Sequence, residues 1–215
     1  LAALLAGIEL PSEGDLYLTV TALVSDGRER IERYAQALRE VVARHDILRT
    51  SFFWDELPEP VQVVWREAPL RVDEIALDPA DGDVLTQLRE RFDPRRYRAD
   101  IRQAPLRWLV IAHYELNERW VALELLHHLI EDRTAAELVQ QEIAAILDGH
   151  GSELPVPVPF REFVARTRMG VSRDAHQAYF RGLLGDVDEP TALFGLIDAF
   201  GDGSHTRVGQ SKPNP

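Results

Sequence analysis

Hydrophobic residues along the chain follow two periods, one typical of strands and the other of helices. Short alternating runs that are rich in β-branched residues indicate strands. They lie at Leu16–Ser25, Ile47–Trp54, Pro60–Arg66, Leu70–Leu77, Leu106–Tyr114 and Arg119–Leu126. Apolar residues that recur at every third and fourth position indicate helices. They lie at Arg28–Arg44, Val84–Phe92, Arg133–Leu147, Phe160–Arg168 and Arg173–Leu184.

The order of these elements predicts the fold class. Strands and helices mix without strict βαβ alternation, so we predict an α+β fold in which helices cover a mixed or mostly antiparallel sheet. The runs Leu106–Tyr114 and Arg119–Leu126 form the best predicted hairpin, joined by Glu115–Glu118. Because both runs carry apolar residues on both faces, we expect them to be central, covered strands.

Composition narrows the classes of function. The chain has 215 residues, with 24 basic and 36 acidic side chains and a formal net charge of −12. This acidic balance argues against nucleic acid or an anionic membrane surface as the main partner. The absence of cysteine excludes disulfides and Cys-ligated zinc.

The two ends of the chain add expectations about its context. Leu1–Ile8 is apolar but lacks the basic region and cleavage site of a signal peptide, and no apolar run approaches a membrane span of about 18 residues, so we expect a cytoplasmic protein. Without an initiator Met, we expect a processed product or part of a longer polypeptide. Gly201–Pro215 is polar and rich in Gly and Pro, which predicts a mobile tail.

The stretch from Leu125 to Arg133 carries the candidate chemistry. His127 and His128 end a predicted buried strand, and Asp132 follows shortly after them. Successive side chains of a strand face opposite sides, so both histidines cannot face one cavity. Imidazole titrates near neutral pH and suits general-base chemistry. Asp132 precedes a predicted helix and is placed to cap it.

Three simpler interpretations of these residues stay open. In the first interpretation, the histidines are metal ligands. The HxxxD pattern offers only two or three ligands, and no second His-rich cluster follows, so we predict no metal. In the second, they are hydrogen-bonded groups of the core. In the third, Asp132 is only a helix cap, which is compatible with any role of the histidines.

Several motifs together resemble one family. His127-His128-Leu129-Ile130-Glu131-Asp132 resembles the HHxxxDG signature of condensation domains of nonribosomal peptide synthetases and of the wider chloramphenicol-acetyltransferase-like superfamily. Residues 43–52, ARHDILRTSF, resemble that family's RHExLRTxF motif, and residues 60–64 resemble the strand that follows it. Ala178-Tyr179-Phe180 lies where the family has a tyrosine-bearing segment. The resemblance covers Pro11 to Leu184.

The resemblance implies a chloramphenicol-acetyltransferase-like N-terminal lobe over residues 1–185, followed by a crossover and the start of a C-terminal lobe over residues 186–215, partly as a disordered tail. Family members join two such lobes around a tunnel. Carrier proteins insert phosphopantetheine arms into it, and an acceptor amine attacks a donor thioester to form an amide. The implied protein is an acyltransferase that is incomplete without its C-terminal lobe and binds no cofactor directly. Its implied partners are carrier proteins, the C-terminal lobe and neighbouring synthetase domains.

The resemblance also implies roles for single residues. His128 is the implied catalytic residue, and His127 supports the site. Asp132 is implied to pair with an arginine of the RHExLRTxF-like segment, Arg49 in preference to Arg44. The alternative is that both arginines are solvated charges at a helix end.

Two departures from the family pattern affect the predicted activity. Arg133 replaces the signature's Gly and is a candidate tunnel contact, which would either bind a phosphate or carboxylate or obstruct the tunnel. The second departure is the expected absence of the C-terminal lobe. The histidines lie mid-chain, whereas the single-lobe acetyltransferases carry the motif near the C-terminus, so we expect an N-lobe and not a complete single-lobe enzyme. We expect its partner face to be exposed, covered by the tail or buried in a homo-oligomer.

Other functions compete with condensation. A degenerate lobe that binds a carrier protein without catalysis is motivated by Arg133 and the missing half. An acyltransferase that uses an alcohol or free amine shares the HHxxxD loop. An epimerising domain would add an N-terminal HH(I/L)xxxxGD motif; Gly14-Asp15 matches its end, but Gly7-Ile8 replaces its histidines. We expect any carrier protein to dock on basic segments such as Arg91–Arg98 or on apolar contacts.

Overall fold

The computed structural model describes residues 14–114 and 118–187. The chain divides into two compact units, Leu1–Phe163 and Val164–Pro215. Within the described residues, the strands are β1 Leu18–Ser25, β2 Thr50–Phe53, β3 Val61–Val64, β4 Val72–Glu74, β5 Arg107–Tyr114 and β6 Arg119–His127. The helices are α1 Arg28–Arg44, α2 Val84–Arg91, α3 Arg133–Leu147, α4 Phe160–Gly170 and α5 Arg173–Leu184. Short 3₁₀ turns cover Asp46–Arg49, Pro79–Asp81 and Gly151–Glu153.

A four-stranded sheet in the order β1-β6-β5-β4 forms the centre of the first unit. β1 and β5 both pair antiparallel with β6, whereas β4 pairs parallel with β5. The sheet is therefore mixed, and the predicted α+β class is confirmed. As predicted, β5 and β6 are central and covered. The predicted connection between them falls largely on residues 115–117, which lie outside the described residues.

The separate two-stranded sheet corrects one prediction. The predicted strand Ile47–Trp54 begins as a 3₁₀ turn, and its second half, β2, pairs with β3 and not with the main sheet. The hydrogen bonds of β2 go to β3 and, through the Phe52 amide, to the Ile101 carbonyl.

One face of the main sheet is apolar and packs against α2. From this face, β5 contributes Trp108, Val110 and Ala112, and β6 contributes Val121, Leu123 and Leu125. Val84 and Leu88 of α2 are fully buried against them. The period of two along each strand therefore places one continuous apolar layer here.

The other face packs against α1 and α3. The predicted stripe of α1 is buried as expected: Ile31, Ala35, Leu38 and Val42. Val139 and Ile143 of α3 join the same layer. Unlike the first face, this one also buries charged groups, Arg107 of β5 and Glu124 of β6. We predicted apolar faces and did not anticipate these charges.

In the second unit, residues 164–187 comprise the end of α4 and all of α5. Ser172 caps α5 by accepting a hydrogen bond from the Ala175 amide, 3.2 Å away. Tyr179 and Phe180 are exposed and meet edge to face, with ring centroids 5.3 Å apart. Most of the predicted crossover and tail, residues 188–215, lies outside the described residues. The boundary at residues 185 and 186 stays a prediction.

No helix within 14–114 or 118–187 is long and apolar enough to cross a membrane.

Candidate active site

The two histidines lie where β6 ends and the chain turns into α3. The His127 amide closes the ladder by donating to the Leu106 carbonyl, 3.0 Å away. The His128 amide donates to the Tyr17 carbonyl just before β1, at 2.8 Å. The turn then folds back, because the Ile130 amide donates to the His127 carbonyl at 3.2 Å. Main-chain hydrogen bonds therefore hold both histidines at the C-terminal end of the central strand β6.

His127 points into the protein. It is buried, and its Nδ1 accepts a hydrogen bond from the Leu129 amide at 3.1 Å. Since Nδ1 is the acceptor, the proton of the neutral ring is on Nε2, which lies 3.4 Å from the Asp15 carboxylate. Both ring nitrogens therefore have partners inside the protein.

Asp15 is the anchor for His127. Burial opposes ionisation of its carboxyl group, but hydrogen bonds from His127 and from the Tyr17 and Ala99 amides outweigh burial and lower the pKa of Asp15. Gly14 allows this arrangement, because it has a φ of +89° and a Cβ there would lie 2.5 Å from the Arg95 carbonyl oxygen. Gly14-Asp15 thus stabilises the position of His127.

His128 has the opposite environment. Its side chain is exposed, and its Nδ1 lies 3.1 Å from the Glu131 carbonyl oxygen. A carbonyl oxygen only accepts, so Nδ1 carries the proton and the neutral ring keeps a lone pair on Nε2. The Thr19 hydroxyl lies 3.0 Å from Nε2 and donates to it. His128 is therefore a fixed, accessible hydrogen-bond acceptor.

Asp132 does not form the predicted ion pair. Its carboxylate caps α3 by accepting a hydrogen bond from the Ala135 amide at 2.8 Å. Within the described part of the chain, no ion pair joins Asp132 to Arg49 or Arg44. The cap satisfies an otherwise free amide of the first helical turn, so local geometry accounts for the position of this carboxylate.

The two arginines have other partners, which explains the correction. Arg49 donates to the carbonyls of Trp65 and Arg66 beyond β3, and its own carbonyl accepts from the Trp65 amide at 2.9 Å. Arg44 lies 3.1 Å from Glu142 of α3 and donates to the Pro155 carbonyl at 2.8 Å. Neither arginine is a solvated helix-end charge. They fasten the end of α1 and the following segment rather than the histidine turn.

His45 of the same motif is a partly buried, hydrogen-bonded residue. Its Nε2 lies 2.9 Å from Glu142, the carboxylate that Arg44 also contacts. The neighbouring Asp46 accepts from the Phe160 amide at 3.0 Å and so fixes the start of α4. The motif therefore ties the end of α1 to two later segments.

Arg133 fits the position of the signature's Gly without strain. It is the first residue of α3, and the residues other than Gly with positive φ in the described chain are Glu56 and Glu118. The Arg133 side chain is 92% exposed and pairs with Glu137 one turn later, at 3.0 Å. Whether it contacts a tunnel stays a prediction.

Sequence reasoning missed the buried charges behind the turn. Arg107 of β5 lies 2.6 Å from Glu124 of β6 and 2.7 Å from Glu131 of the turn. Burial opposes the charge on Arg107, but the two carboxylates outweigh it and raise its pKa. Burial raises the pKa of Glu131, and Arg107 only partly offsets this. One signal was available: opposite charges at neighbouring positions of two strands predicted to be covered on both faces.

Thr19 was missed as well, because a threonine in a strand has no signal of its own. A candidate metal centre has no support in the described residues, which contain no group of three or more His, Asp or Glu side chains placed to hold an ion.

Comparison with known proteins adds family evidence to this geometry. A family model described as "Condensation domain" matches residues 9–195. Malpinin synthetase of Mortierella alpina is 48% identical over 195 residues, which cover 91% of this chain and 2% of that protein. Malpibaldin synthetase of the same organism is 42% identical over 198 residues, 92% of this chain and 4% of that protein. A linear gramicidin synthase protein of Brevibacillus parabrevis is 29% identical over 191 residues, 86% of this chain and 2% of that protein.

Solved structures show the same fold. The cyclization-docking bidomain of the EpoB nonribosomal peptide synthetase from Sorangium cellulosum has a TM-score of 0.63 at 21% identity, covering 82% of this chain and 35% of that one. A variant of the starter condensation domain of rhizomide synthetase has a TM-score of 0.59 at 19% identity, covering 84% of this chain and 45% of that one. The chain therefore spans less than half of the structures it resembles.

Proposed function

The chain belongs to the condensation-domain family of nonribosomal peptide synthetases, and from this premise we propose that it is the N-terminal lobe of a condensation domain in which His128 serves amide formation. The reaction joins a donor acyl or peptidyl thioester to an acceptor aminoacyl thioester. Carrier proteins bring both substrates on phosphopantetheine. The observation that carries the proposal is Nε2 of the exposed His128 side chain, which is held as an acceptor by the hydrogen bond from Nδ1 to the Glu131 carbonyl.

The proposed chemistry uses this one nitrogen. The acceptor amine attacks the thioester carbon, an N–C bond forms and the C–S bond breaks. Nε2 accepts a proton from the attacking nitrogen, and the proton ends on the departing pantetheine sulfur. The first transfer requires the substrate nitrogen within about 2.6–3.2 Å of Nε2, and the second requires the departing sulfur within hydrogen-bond reach of the same atom. Thioesters are already activated, so positioning two tethered substrates supplies a large share of the rate.

Thr19 fits this chemistry as a partner of the resting site. Its hydroxyl donates to Nε2 at the distance that a substrate N–H would adopt. When substrate binds, the N–H of the incoming amine replaces the Thr19 hydroxyl as the donor to Nε2. The lone pair of Nε2 therefore keeps a hydrogen bond throughout. His127 has no such access, because both of its ring nitrogens face partners inside the protein.

Carrier proteins are the proposed partners, together with the C-terminal lobe and neighbouring synthetase domains. In the basic segment Arg91–Arg98, Arg95 is held by Asp93 at 2.6 Å, and this contact lowers the pKa of Asp93 to about 2. Much of the charge of Arg95 is therefore compensated. The exposed charge at the start of α3, Arg133, is a second basic candidate for a phosphate, beside the helix N-terminus.

The test is amide formation by the full-length protein supplied with two loaded carrier proteins, followed by mass spectrometry of the carrier-bound product. We expect His128→Ala to lower the single-turnover rate by about 10²-fold, the scale of general-base catalysis. His176→Ala removes another exposed histidine, from α5, and serves as the control.

Three other outcomes would contradict this role or favour different functions. An unchanged rate for His128→Ala would contradict the role of His128. Carrier binding without turnover in the wild-type protein would favour the non-catalytic lobe. Turnover only with a free alcohol or amine would favour an ester- or amide-forming acyltransferase of the same superfamily.

A further inference from the structure

A buried ion cluster lies directly behind the histidine turn. Arg107 is 2% exposed; its Nε donates to Glu124 at 2.6 Å, and its Nη1 donates to both carboxylate oxygens of Glu131, at 3.0 and 2.7 Å. Tyr34 of α1 donates to the other oxygen of Glu124 at 2.8 Å. Gln140 of α3 donates to the Tyr34 hydroxyl at 3.2 Å. The cluster thus connects the sheet, two helices and the turn.

Stability alone does not account for this cluster. One guanidinium faces two carboxylates, and removing three charges from water is costly even when they pair. Apolar residues of similar volume would serve a core equally well, as they do on the opposite face of the sheet. A buried charge cluster is better explained by the geometry that it imposes on its neighbours.

The neighbour in question is His128. Glu131 has two connections: its carboxylate binds Arg107 in the sheet, and its carbonyl oxygen accepts from Nδ1 of His128. The sheet therefore fixes the Glu131 side chain, the side chain restrains the peptide group, and the peptide group selects the ring orientation and tautomer. Asp132 restrains the next residue by capping α3.

We propose that Arg107 and Glu131 are positioning residues that keep Nε2 of His128 as a hydrogen-bond acceptor, contacted by the Thr19 hydroxyl, at the end of β6. This inference rests on the proposed function, since it assigns residues that act through His128. The two-oxygen contact is the essential part, because both carboxylate oxygens of Glu131 accept from the one nitrogen Nη1 of the Arg107 cation. A Gln at position 131 has one oxygen, and its amide hydrogens face the hydrogens of Arg107.

The first test measures His128 without using the reaction. Diethyl pyrocarbonate acylates unprotonated imidazole nitrogens, and mass spectrometry of peptides from the full-length protein gives the rate at each histidine. The measured quantity is the rate at His128 divided by the rate at His176 in the same sample. In Glu131→Gln we expect this ratio to fall about fivefold, the equivalent of losing one hydrogen bond, because the bond from Nδ1 to the Glu131 carbonyl keeps the lone pair on Nε2.

A matched control removes the same charge elsewhere. Glu142 is buried on α3 and pairs with Arg44 and His45, away from the histidine turn. Glu142→Gln is expected to lower stability as much as Glu131→Gln does and to leave the ratio unchanged. If Glu131→Gln does not fold, Glu131→Asp keeps the charge, shortens the connection and is expected to shift the ratio in the same direction.

The second test is the steady-state condensation kinetics of the same variants. In Glu131→Gln we expect kcat to fall about tenfold with KM unchanged, because orientation is lost and substrate contacts are kept. An unchanged diethyl pyrocarbonate ratio would overturn the proposal whatever happens to kcat. A lowered ratio with an unchanged kcat would show that the reaction does not need this positioning, and would also overturn the proposal.

The two tests separate this inference from the function on which it rests. If His128→Ala keeps the wild-type rate, the proposed function fails, and this is seen without any Glu131 variant. If His128→Ala is slow while Glu131→Gln behaves like Glu142→Gln, only the positioning proposal fails.

Discussion

The two faces of the central sheet hold the adjacent histidines by different means. The face toward α2 is built from apolar side chains, and His127 on this side is fastened by the buried Asp15. The face toward α1 and α3 contains the Arg107 cluster, and His128 on this side is fastened through Glu131. One histidine is sealed in and the other is presented to solvent. The difference shows that an HH pair provides one accessible group and one support, because neighbours in a strand must diverge.

The largest expected effect on stability comes from removing the Arg107 cation from the charged face of the sheet. Arg107→Met leaves Glu124 and Glu131 buried without their cation, and we expect a loss of about 3–5 kcal/mol in the free energy of unfolding. Urea denaturation measures it. Combining the change with Glu124→Leu and Glu131→Leu makes this face apolar like the other and should recover most of the loss. A triple variant no more stable than Arg107→Met would contradict the comparison.

A somewhat smaller effect is expected from the apolar face. Leu123 of β6 is fully buried against α2, so Leu123→Ala removes contacts and leaves a cavity. We expect the free energy of unfolding to fall by about 3 kcal/mol. No second substitution that changes a charge is expected to restore it. The same denaturation experiment measures it. A loss below about 1 kcal/mol would show that this layer is loosely packed.

On the apolar face, the contribution of Asp15 to stability is expected to depend on pH. Its pKa is lowered in the fold, so its carboxylate stabilises the protein above the ordinary pKa, and this stabilisation is lost as the pH falls through the lowered value. We therefore expect Asp15→Asn to cost about 1–2 kcal/mol at neutral pH. The difference from wild type should shrink below about pH 4. Unfolding measured over a pH series checks this, and a difference independent of pH would argue against a charged Asp15.

Asp132 gives the smallest effect and separates two explanations of its role. As a helix cap, Asp132→Ala should cost about 1 kcal/mol, while Asp132→Asn should be nearly neutral because Asn caps equally well. In an ion pair with Arg49, both variants would be costly. Thermal unfolding of the two variants side by side distinguishes these cases.

The sequence predicted the layers of the fold better than their polar connections. Stripes such as that of α1 and the covered strands β5 and β6 follow from local periodicity, which the structure confirms. The separation of His127 from His128 also follows from strand geometry. The partner of Asp132 was wrong, because the resemblance suggested an arginine while the adjacent helix start offered a nearer amide.

The residues that contact His128 or support its turn could not be predicted from hydrophobic periodicity. Arg107 meets Glu131 across 24 positions of sequence, and only the pairing of β5 with β6 brings them together. Thr19 reaches His128 across 109 positions through the pairing of β1 with β6. Register and side-chain direction in three dimensions decide such contacts, and periodicity alone contains neither. The charged pair in covered strands was the one usable signal.

The proposed roles of the two histidines, catalysis by His128 and structural support by His127, can be measured separately. The same substitution, to Asn, is made at His127 and at His128, and each full-length variant is assayed for its free energy of unfolding and its condensation rate per folded molecule. We expect His128→Asn to lower the rate by about 10²-fold and stability by less than about 0.5 kcal/mol. We expect His127→Asn to lower stability by about 1–3 kcal/mol and to change the rate far less. Equal losses of rate in both variants, or the reverse pattern, would contradict the account.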